Sequence, residues 1–331
     1  MFDRYADVHK DERLDGPGDA RPTALQIVKD NDLVGGMADK AILITGTSSG
    51  LGIETARALK ATGAKLYLTV RDLKKGQEAL KDILEPGRVE LLHLDLNSLD
   101  SARSCAQEFL QKSSILNVLI NNAGIMMLPE RTLTVDGFEA QLGVNYLAHF
   151  VLFQCLKPTL LQSATAELAS RVICVSSSGH NTCGINFNDL QLEAPGAYTP
   201  SIAYGQSKTA TIYMSNEIDR RYGSKGIHSL SLHPGGIWTG LQIHMDTSKF
   251  KGNRDIERTM KNCEQGAATT VWAAIDREWE GQGGKYLSNC QNAAPASEIG
   301  REGYAAWAYD AEAEARLWTE ACRLVGVEDD D

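Results

Sequence analysis

Short apolar runs alternate with segments of helical length from residue 40 to about residue 290. Seven of these runs have the length of strands, and several are nearly continuous in hydrophobicity, as expected for parallel strands covered on both faces. They lie at 41–44, 65–70, 89–92, 118–120, 171–175, 227–232 and 284–288. Strands joined by helices in this way predict an α/β fold, a single doubly wound Rossmann domain with a seven-stranded parallel sheet and helices on both faces.

No linker interrupts the alternation, which predicts one domain over residues 36–290. Residues 1–35 are predicted to form a polar N-terminal arm. Residues 291–331 are predicted to form a C-terminal helical extension with an acidic tail, whose helix covers about 301–325. Further helices are predicted at about 73–84, 98–112 and 136–162.

Charge and residue usage exclude several classes of protein. The net charge of −10 and the pI of about 5.3 argue against a nucleic-acid or acidic-membrane surface. Seven scattered cysteines without a C-x-x-C pair indicate reduced thiols, and no histidine pair has metal-ligand spacing. Because no signal peptide or apolar span is found, we expect a cytoplasmic protein with no membrane, nucleic-acid or metal partner.

A glycine-rich loop connects the first strand to the first helix. Residues 45–52 read Thr-Gly-Thr-Ser-Ser-Gly-Leu-Gly. Glycines let the backbone turn sharply and approach a pyrophosphate, while a helix N-terminus offers free N–H donors. A plain glycine-rich turn is the alternative. No Lys-Ser/Thr follows the last glycine, which excludes a P-loop kinase or ATPase.

The second predicted strand ends in Arg71 and Asp72. Dinucleotide-binding folds that prefer NAD place an acidic residue here for the ribose hydroxyls, whereas a basic residue suits the 2′-phosphate of NADP. Arg71 therefore favours NADP. A solvated Arg-Asp pair is the alternative interpretation.

Tyr204 and Lys208 are four residues apart, a spacing that places both side chains on one face of a helix. A nearby positive charge favours the phenolate, so the pair could give or take a proton near neutral pH. Chance supplies this spacing often, and an exposed helix face is the plain alternative. The motifs that precede the pair decide between the two interpretations.

Seven motifs in one order resemble the short-chain dehydrogenase/reductase family over roughly residues 36–290. They are Thr-Gly-x-x-x-Gly-x-Gly at 45–52, His-Leu-Asp-Leu at 93–96, Asn-Asn-Ala-Gly at 121–124, Val-Asn at 144–145, the serines at 176–178, Tyr-x-x-x-Lys at 204–208 and Pro-Gly at 234–235. The resemblance implies an oxidoreductase that binds NADP (NADPH).

The resemblance also implies a role for each matching residue. Tyr204 would exchange a proton with the substrate oxygen, and Lys208 would hold the nicotinamide ribose and lower the pKa of Tyr204. Ser177 would orient the carbonyl, with Ser176 or Ser178 left open, and Asn145 would anchor a water chain. The cofactor-binding residues implied are Gly46, Ser48, Ser49, Gly50, Leu51, Gly52, Arg71, Asp95, Leu96, Asn122, Ala123, Gly124, Pro234, Gly235, Ile237 and Thr239.

The gap of 27 positions from Ser177 to Tyr204 is longer than is usual in the family. This long-gap form resembles the branch of retinol dehydrogenases, WW-domain oxidoreductases and protochlorophyllide reductases, whose members usually prefer NADP. Family members often pair through helices equivalent to 136–162 and 201–222, so a homodimer is a further expectation.

The chain is thus predicted to reduce a ketone or aldehyde to an alcohol, or to run the reverse reaction. Apolar residues predict a wall for a mid-sized apolar substrate, such as a secondary metabolite. The wall is predicted from Met126, Met127, the insertion 180–200 and the loop 236–251. The loop supplies Trp238, Leu241, Ile243 and Met245, and His180, Tyr198 and His244 are the polar candidates. Two alternatives remain open: a non-redox step (dehydration, epimerisation or cyclisation) on the same fold, and a regulatory module that only binds the cofactor.

Overall fold

Eight strands form one sheet. The computed structural model describes residues 3–165, 168–250, 252–296 and 303–329. The strands are β1 (Ala41–Ile44), β2 (Lys65–Val70), β3 (Val89–His93), β4 (Val118–Asn121), β5 (Ser170–Val175), β6 (Ile227–His233), β7 (Lys285–Ser288) and β8 (Gln291–Asn292). Their order is β3-β2-β1-β4-β5-β6-β7-β8. The first seven are parallel, as predicted, and β8 adds a short antiparallel strand at the edge.

Helices cover both faces of the sheet, which confirms the predicted Rossmann fold. They are α1 (Ala24–Asp30), α2 (Leu51–Lys60), α3 (Leu73–Ala79), α4 (Leu99–Lys112), α5 (Ala140–Leu142), α6 (Ala148–Ser163), α7 (Pro200–Tyr222), α8 (Arg254–Glu257), α9 (Cys263–Gly266), α10 (Ala268–Ile275) and α11 (Ala311–Val325). Side chains of β1 alternate between two hydrophobic cores. Leu43 packs in the core that contains Phe150 of α6, and Ile42 and Ile44 pack in the core that contains Trp272 of α10.

Side-chain caps set the helix boundaries that the apolar pattern placed only approximately. The Asp72 carboxylate accepts hydrogen bonds from the N–H groups of Lys74 and Lys75 and so starts α3. The Glu139 carboxylate caps α5 in the same way, which is why helical structure begins at residue 140 and not at 136. A π-helical turn, Gly143–Leu147, joins α5 to α6.

The described part of the predicted N-terminal arm packs against the domain. Ile27 and Val28 of α1 are fully buried in the core beside α10. The buried Arg21 guanidinium donates hydrogen bonds to the carbonyl oxygens of Thr259 (2.8 Å) and Met260 (2.5 Å). The segment is rich in charged residues, but a few buried apolar residues and one buried arginine fix its position on the domain.

The C-terminal helix α11 lies across α6 and α7. Trp318 is buried, and its ring centre lies 4.8 Å from that of Phe150 and 6.2 Å from that of Tyr222. The buried Glu314 accepts a hydrogen bond from Asn216 (2.7 Å) and pairs with Arg220 of α7. This helix begins at residue 311, where Asp310 caps it, and residues 301–302 of the predicted helix lie outside the described residues.

Candidate active site

A cavity of about 400 Å³ opens at the carboxyl ends of β1, β4, β5 and β6. The strand order reverses between β1 and β4, and doubly wound sheets bind ligands at such a point. Most of the predicted site residues line this cavity: Gly46, Ser48, Ser49, Gly50, Leu51, Gly52, Asn122, Ala123, Gly124, Ser177, Tyr204, Lys208, Pro234, Gly235, Ile237 and Thr239. The lining does not include Arg71, Asp95, Leu96 or Asn145.

The glycine loop has the geometry of a phosphate cradle. Gly46 has a φ of +71°, and a Cβ atom there would lie 2.7 Å from the Cβ atom of Ala123. Gly50 occupies the N-cap position of α2 with a φ of +57° and no side-chain cap, so the first N–H groups of α2 have no side-chain acceptor. Ser48 and Ser49 are exposed beside them. A pyrophosphate fits this arrangement, because backbone donors face it and no side chain blocks the approach.

Thr45 joins this loop to the segment that follows β4. Its hydroxyl oxygen accepts hydrogen bonds from the N–H groups of Asn122 (2.9 Å) and Ala123 (3.0 Å), and it lies 2.9 Å from Nε2 of His149. Nδ1 of His149 lies 3.1 Å from the carbonyl oxygen of Asn145, so Nδ1 carries the proton and Nε2 accepts from Thr45. The sequence interpretation missed His149, because an isolated histidine in an apolar helix carries no signal.

Asn145 lies in the π-helical turn, and its buried side chain braces the cavity from behind. Its amide oxygen accepts the N–H of Ile125 (2.8 Å), and its amide nitrogen donates to the carbonyl oxygen of Ile125 (3.0 Å) and to Ser207 (2.9 Å). A Cβ atom on Gly124 would lie 3.0 Å from the Asn145 amide oxygen and 3.4 Å from Lys208 Nζ. A glycine at position 124 therefore allows the side chains of Asn145 and Lys208 to pack closely against the backbone there.

Tyr204 and Lys208 lie on α7 at the floor of the cavity. Lys208 Nζ is 5.7 Å from the centre of the Tyr204 ring and donates a hydrogen bond to the carbonyl oxygen of Val175 (3.0 Å). Burial raises the pKa of Tyr204 to about 12, and a hydrogen bond with Ser177 opposes this rise. Burial lowers the pKa of Lys208 to about 8. Desolvation is thus the dominant influence on the Tyr204 phenol here, and the lowering of its pKa by Lys208 stays a prediction.

The three adjacent serines have different surroundings. The Ser176 hydroxyl is buried and donates to the carbonyl oxygen of Lys208 (2.8 Å). The Ser177 hydroxyl lines the cavity with Tyr204, accepts the N–H of Gly179 (3.0 Å) and acts to lower the pKa of the Tyr204 phenol. Ser178 is absent from the cavity lining. Of the three hydroxyls, that of Ser177 is placed to act together with Tyr204.

The remaining predicted cofactor contacts lie outside the cavity lining. Arg71 is exposed at the end of β2, and within the described part of the chain its guanidinium makes no hydrogen bond or ion pair. The Asp95 carboxylate accepts the N–H of Asn97 (3.0 Å), and Leu96 is buried in the core. These positions extend from the glycine loop along the ends of β2 and β3.

The segment after β6 forms the roof of the cavity. Thr239 caps the short helix Gly240–Gln242, and its methyl group would lie 3.4 Å from a Cβ atom on Gly50. Lys261 is buried beneath this roof and donates to Asn289 (2.7 Å) and to the carbonyl oxygen of Pro234 (3.3 Å). Lys261 was not among the predicted site residues, because 27 positions separate it from Pro234.

The wall of the cavity away from the glycine loop is largely apolar. Its members are Ile125, Met126, Leu128, Leu241 and Ile243, with His233 and His244 as polar residues. Of the predicted wall residues, Met127, Trp238, Met245, His180 and Tyr198 are absent from the lining, and residue 251 lies outside the described residues. Tyr198 supports the wall from behind, because its hydroxyl donates to the carbonyl oxygen of Leu128 (2.7 Å).

Two features of other protein classes are absent from the described ranges. They contain no group of three or more His, Cys, Asp or Glu side chains that could hold a metal ion. None of the helices resolved there combines the length and the apolar character needed to cross a membrane.

A Rossmann sheet, a glycine-rich phosphate cradle and a Tyr-Lys-Ser floor define a nucleotide-dependent oxidoreductase fold. Residues 40–188 match the family model described as short chain dehydrogenase. The short-chain dehydrogenase/reductase prx1 of Penicillium roqueforti is 55% identical over 94% of this chain and 92% of its own. A WW domain-containing oxidoreductase of Gallus gallus is 37% identical over 86% of this chain and 69% of its own.

The crystal structure of an uncharacterised protein from Mycobacterium paratuberculosis superposes with a TM-score of 0.68. It is 33% identical and covers 93% of this chain and 99% of that protein. The chain therefore belongs to the short-chain dehydrogenase/reductase family, and it is an enzyme of that family. The resemblance predicted from the motifs is confirmed.

Proposed function

We propose that this protein is an NADPH-dependent reductase that converts a ketone or aldehyde to an alcohol. The observation that carries the proposal is the pairing of two hydroxyl donors, Tyr204 and Ser177, at the buried floor of a cavity whose other end is a phosphate cradle. With a pKa raised to about 12, Tyr204 is protonated at neutral pH, which is the form that reduction requires.

NADPH, when bound, supplies the hydride for the carbonyl carbon. Tyr204 gives its proton to the carbonyl oxygen as negative charge develops there. The Ser177 hydroxyl already accepts the Gly179 N–H, so its hydrogen is left to donate to the same oxygen. Two donors fixed by the fold stabilise a developing alkoxide by several kcal/mol in comparable sites.

Lys208 and Asn145 are proposed to stabilise the deprotonated Tyr204 and to help return its proton after the same step. Loss of its proton leaves Tyr204 as a tyrosinate, which the Lys208 ammonium stabilises from the next turn of α7. With a pKa of about 8, Lys208 is largely charged at neutral pH. Asn145 holds the strand end beside Lys208 and is proposed to keep a path for re-protonation open.

The residues proposed to hold the cofactor follow the strand ends. The pyrophosphate would lie on the loop 46–52 and the N-terminus of α2. Asp95 and Leu96 would border the adenine, and Asn122, Ala123 and Gly124 would form the floor. Pro234, Gly235, Ile237 and Thr239 would cover the nicotinamide end. The fit rests on the positive φ angles and close glycine contacts of this loop.

Arg71 supports NADP over NAD in this proposal. Its guanidinium is exposed and has no partner among the residues that the structure describes, whereas the Asp72 carboxylate already accepts two N–H groups of α3. The carboxylate that could otherwise bind ribose hydroxyls is thus used as a helix cap, and the free charge at this position is positive.

Replacement of Arg71 with alanine is expected to raise KM for NADPH about tenfold and to leave KM for NADH unchanged, since one exposed charge-assisted hydrogen bond is lost. Asp72→Asn is the matched control, because an asparagine still caps α3 and both constants should stay the same. Steady-state kinetics with each cofactor make the measurement. Equal effects on NADPH and NADH would contradict the assignment.

The apolar wall favours a mid-sized apolar carbonyl, such as a secondary metabolite, over a small sugar. Spectroscopic consumption of NADPH across a panel of aromatic and aliphatic ketones and aldehydes tests the proposal, with product analysis in the presence and absence of NADPH. Turnover without consumption of NADPH would indicate the non-redox alternative. Binding of NADPH without any turnover would favour the regulatory alternative. The cytoplasmic location stays a prediction.

A homodimer through α6 and α7 is not expected, because the chain's own helix α11 covers them. Docking of a second copy there would have to displace Trp318 and break the ion pair of the buried Glu314 with Arg220. We therefore expect sedimentation equilibrium to give the mass of one chain, 36.0 kDa. A mass of two chains would show that another surface pairs.

A further inference from the structure

The peptide group between Ser177 and Ser178 is held on both sides by histidine rings. Nδ1 of His180 lies 2.6 Å from the carbonyl oxygen of Ser177. On the other side, the N–H of Ser178 donates to Nδ1 of His233 over 3.2 Å. One imidazole thus binds the oxygen of this peptide group, and the other binds its hydrogen.

The partners of each ring fix its tautomer. A carbonyl oxygen only accepts, so Nδ1 of His180 carries a proton, and its Nε2 accepts the N–H of Ala305 (3.0 Å). A backbone N–H only donates, so Nδ1 of His233 is bare. Both rings must be neutral for this arrangement. Burial lowers the pKa of His180, and it lowers that of His233 to about 3, which is consistent with neutral rings.

This peptide group controls where the Ser177 hydroxyl points. The turn packs directly on the phenol ring, since a Cβ atom on Gly179 would lie 2.7 Å from Cε1 of Tyr204 and 3.4 Å from the Ser177 hydroxyl oxygen. Rotation of the peptide plane would therefore move the hydroxyl away from the tyrosine. Hydrogen bonds from the two rings, on opposite sides, resist that rotation, together with the backbone N–H of His180, which donates to the Ser177 carbonyl oxygen (3.1 Å).

We propose that His180 and His233 are positioning residues that clamp the Ser177–Ser178 peptide and so hold the Ser177 hydroxyl beside Tyr204. The inference rests on the proposed role of Ser177 in carbonyl reduction. His180 also extends the clamp to the C-terminal segment, because its Nε2 binds the backbone of Ala305 and its carbonyl oxygen accepts the indole N–H of Trp307 (3.1 Å).

Two substitutions at position 180 separate its two hydrogen bonds. In His180→Asn, the amide group replaces Nδ1 and can still donate to Ser177, while the bond to Ala305 is lost. In His180→Gln, the amide reaches the place of Nε2 and can still accept from Ala305, while the bond to Ser177 is lost. Both variants remove the ring and change the packing similarly, so each controls for the other.

Kinetics with NADPH and 9,10-phenanthrenequinone, an apolar aromatic dicarbonyl, then test the clamp. We expect His180→Gln to lower kcat about tenfold at unchanged KM for NADPH, and His180→Asn to stay within about twofold of the wild type. At the other ring, His233→Leu should lower kcat, and His233→Asn, which keeps an acceptor for Ser178, should restore it.

A double-mutant cycle with Ser177→Ala shows whether the histidines act through the serine. If they do, His180→Gln and His233→Leu will have no further effect on kcat once the hydroxyl is gone. The same fold-loss in both backgrounds would overturn the clamp and leave the proposed reduction intact. A wild-type kcat for Ser177→Ala itself would instead overturn the proposed role of Ser177.

Amide hydrogen exchange gives a readout that needs no substrate. By NMR, the N–H of Ser178 is expected to exchange slowly in the wild-type protein and in His233→Asn, and at least tenfold faster in His233→Leu. The N–H of Ser176, which bonds to Leu232 (2.8 Å) within the sheet, serves as the internal reference. Equal exchange of Ser178 in the wild type and in His233→Leu would overturn the clamp, whatever the kinetics show.

Discussion

Replacement of Tyr204 with phenylalanine is expected to lower kcat for carbonyl reduction about 10³-fold and to leave NADPH affinity unchanged. The phenylalanine ring fills the same space, so the packing of α7 is retained. The variant lacks the proton donor that we propose for the substrate oxygen. The Ser177 hydroxyl can still donate a hydrogen bond to that oxygen, but it does not transfer its proton at neutral pH. Initial rates of NADPH oxidation and fluorescence titration of NADPH make the two measurements.

Tyr213→Phe is the matched control for this experiment. Tyr213 is buried on the same helix, donates its hydroxyl hydrogen to the carbonyl oxygen of Trp307 (2.8 Å) and is absent from the cavity lining. Loss of that hydrogen bond is expected to cost about 1 kcal/mol of unfolding free energy and to leave kcat unaffected. Wild-type turnover in Tyr204→Phe would contradict the proposed mechanism.

The sheet could be predicted almost residue by residue because its strands are buried on both faces. Several of the parallel strands therefore read as nearly continuous apolar runs, as in β1 and β2. The eighth strand has two residues and follows a turn at Asn289 and Cys290, which have φ angles of +55° and +52°. Two residues cannot show a period, and cysteine is not a residue that marks such a turn.

Helix ends were predicted less well because capping side chains decide them. An acidic residue just before an apolar helical pattern can lie in the first turn of the helix or cap its N-terminus. Glu139 caps the N-terminus. In α11, Asp310 has the same role, so the helix starts after Trp307 and not before it. Sequence spacing alone does not show which carboxylate folds back onto the backbone.

The sequence predicted most of the residues that line the candidate site, but it did not predict the residues that hold them in place. Motif order brought most of the predicted residues to one cavity, because the loop residues follow strand ends at one edge of the sheet and α7 brings Tyr204 and Lys208 to the same edge. The residues that hold them, such as His149 and His233, act through contacts between distant parts of the chain. Each appears alone in the sequence, and an isolated histidine in an apolar segment indicates only burial.

The glycine loop yields the second large effect. A Cβ atom on Gly52 would lie 2.2 Å from the carbonyl oxygen of Gly46 and 2.9 Å from its carbonyl carbon. Both contacts are with backbone, so no side-chain rotation can relieve them. Gly52→Ala must therefore push the loop away from the N-terminus of α2, which separates the N–H donors proposed to bind the pyrophosphate.

We expect Gly52→Ala to weaken NADPH binding about 100-fold, measured by fluorescence titration, with a melting temperature lowered by a few degrees. Gly184→Ala is the matched control, because its Cβ atom would lie 3.5 Å from Trp307, an ordinary contact, at a backbone angle that alanine accepts. Unchanged NADPH affinity in Gly52→Ala would show that the pyrophosphate does not depend on this loop geometry. A loss of affinity for adenosine 2′-monophosphate as large as that for NADPH would show that the substitution disturbs the adenosine end as well, because that fragment carries no pyrophosphate.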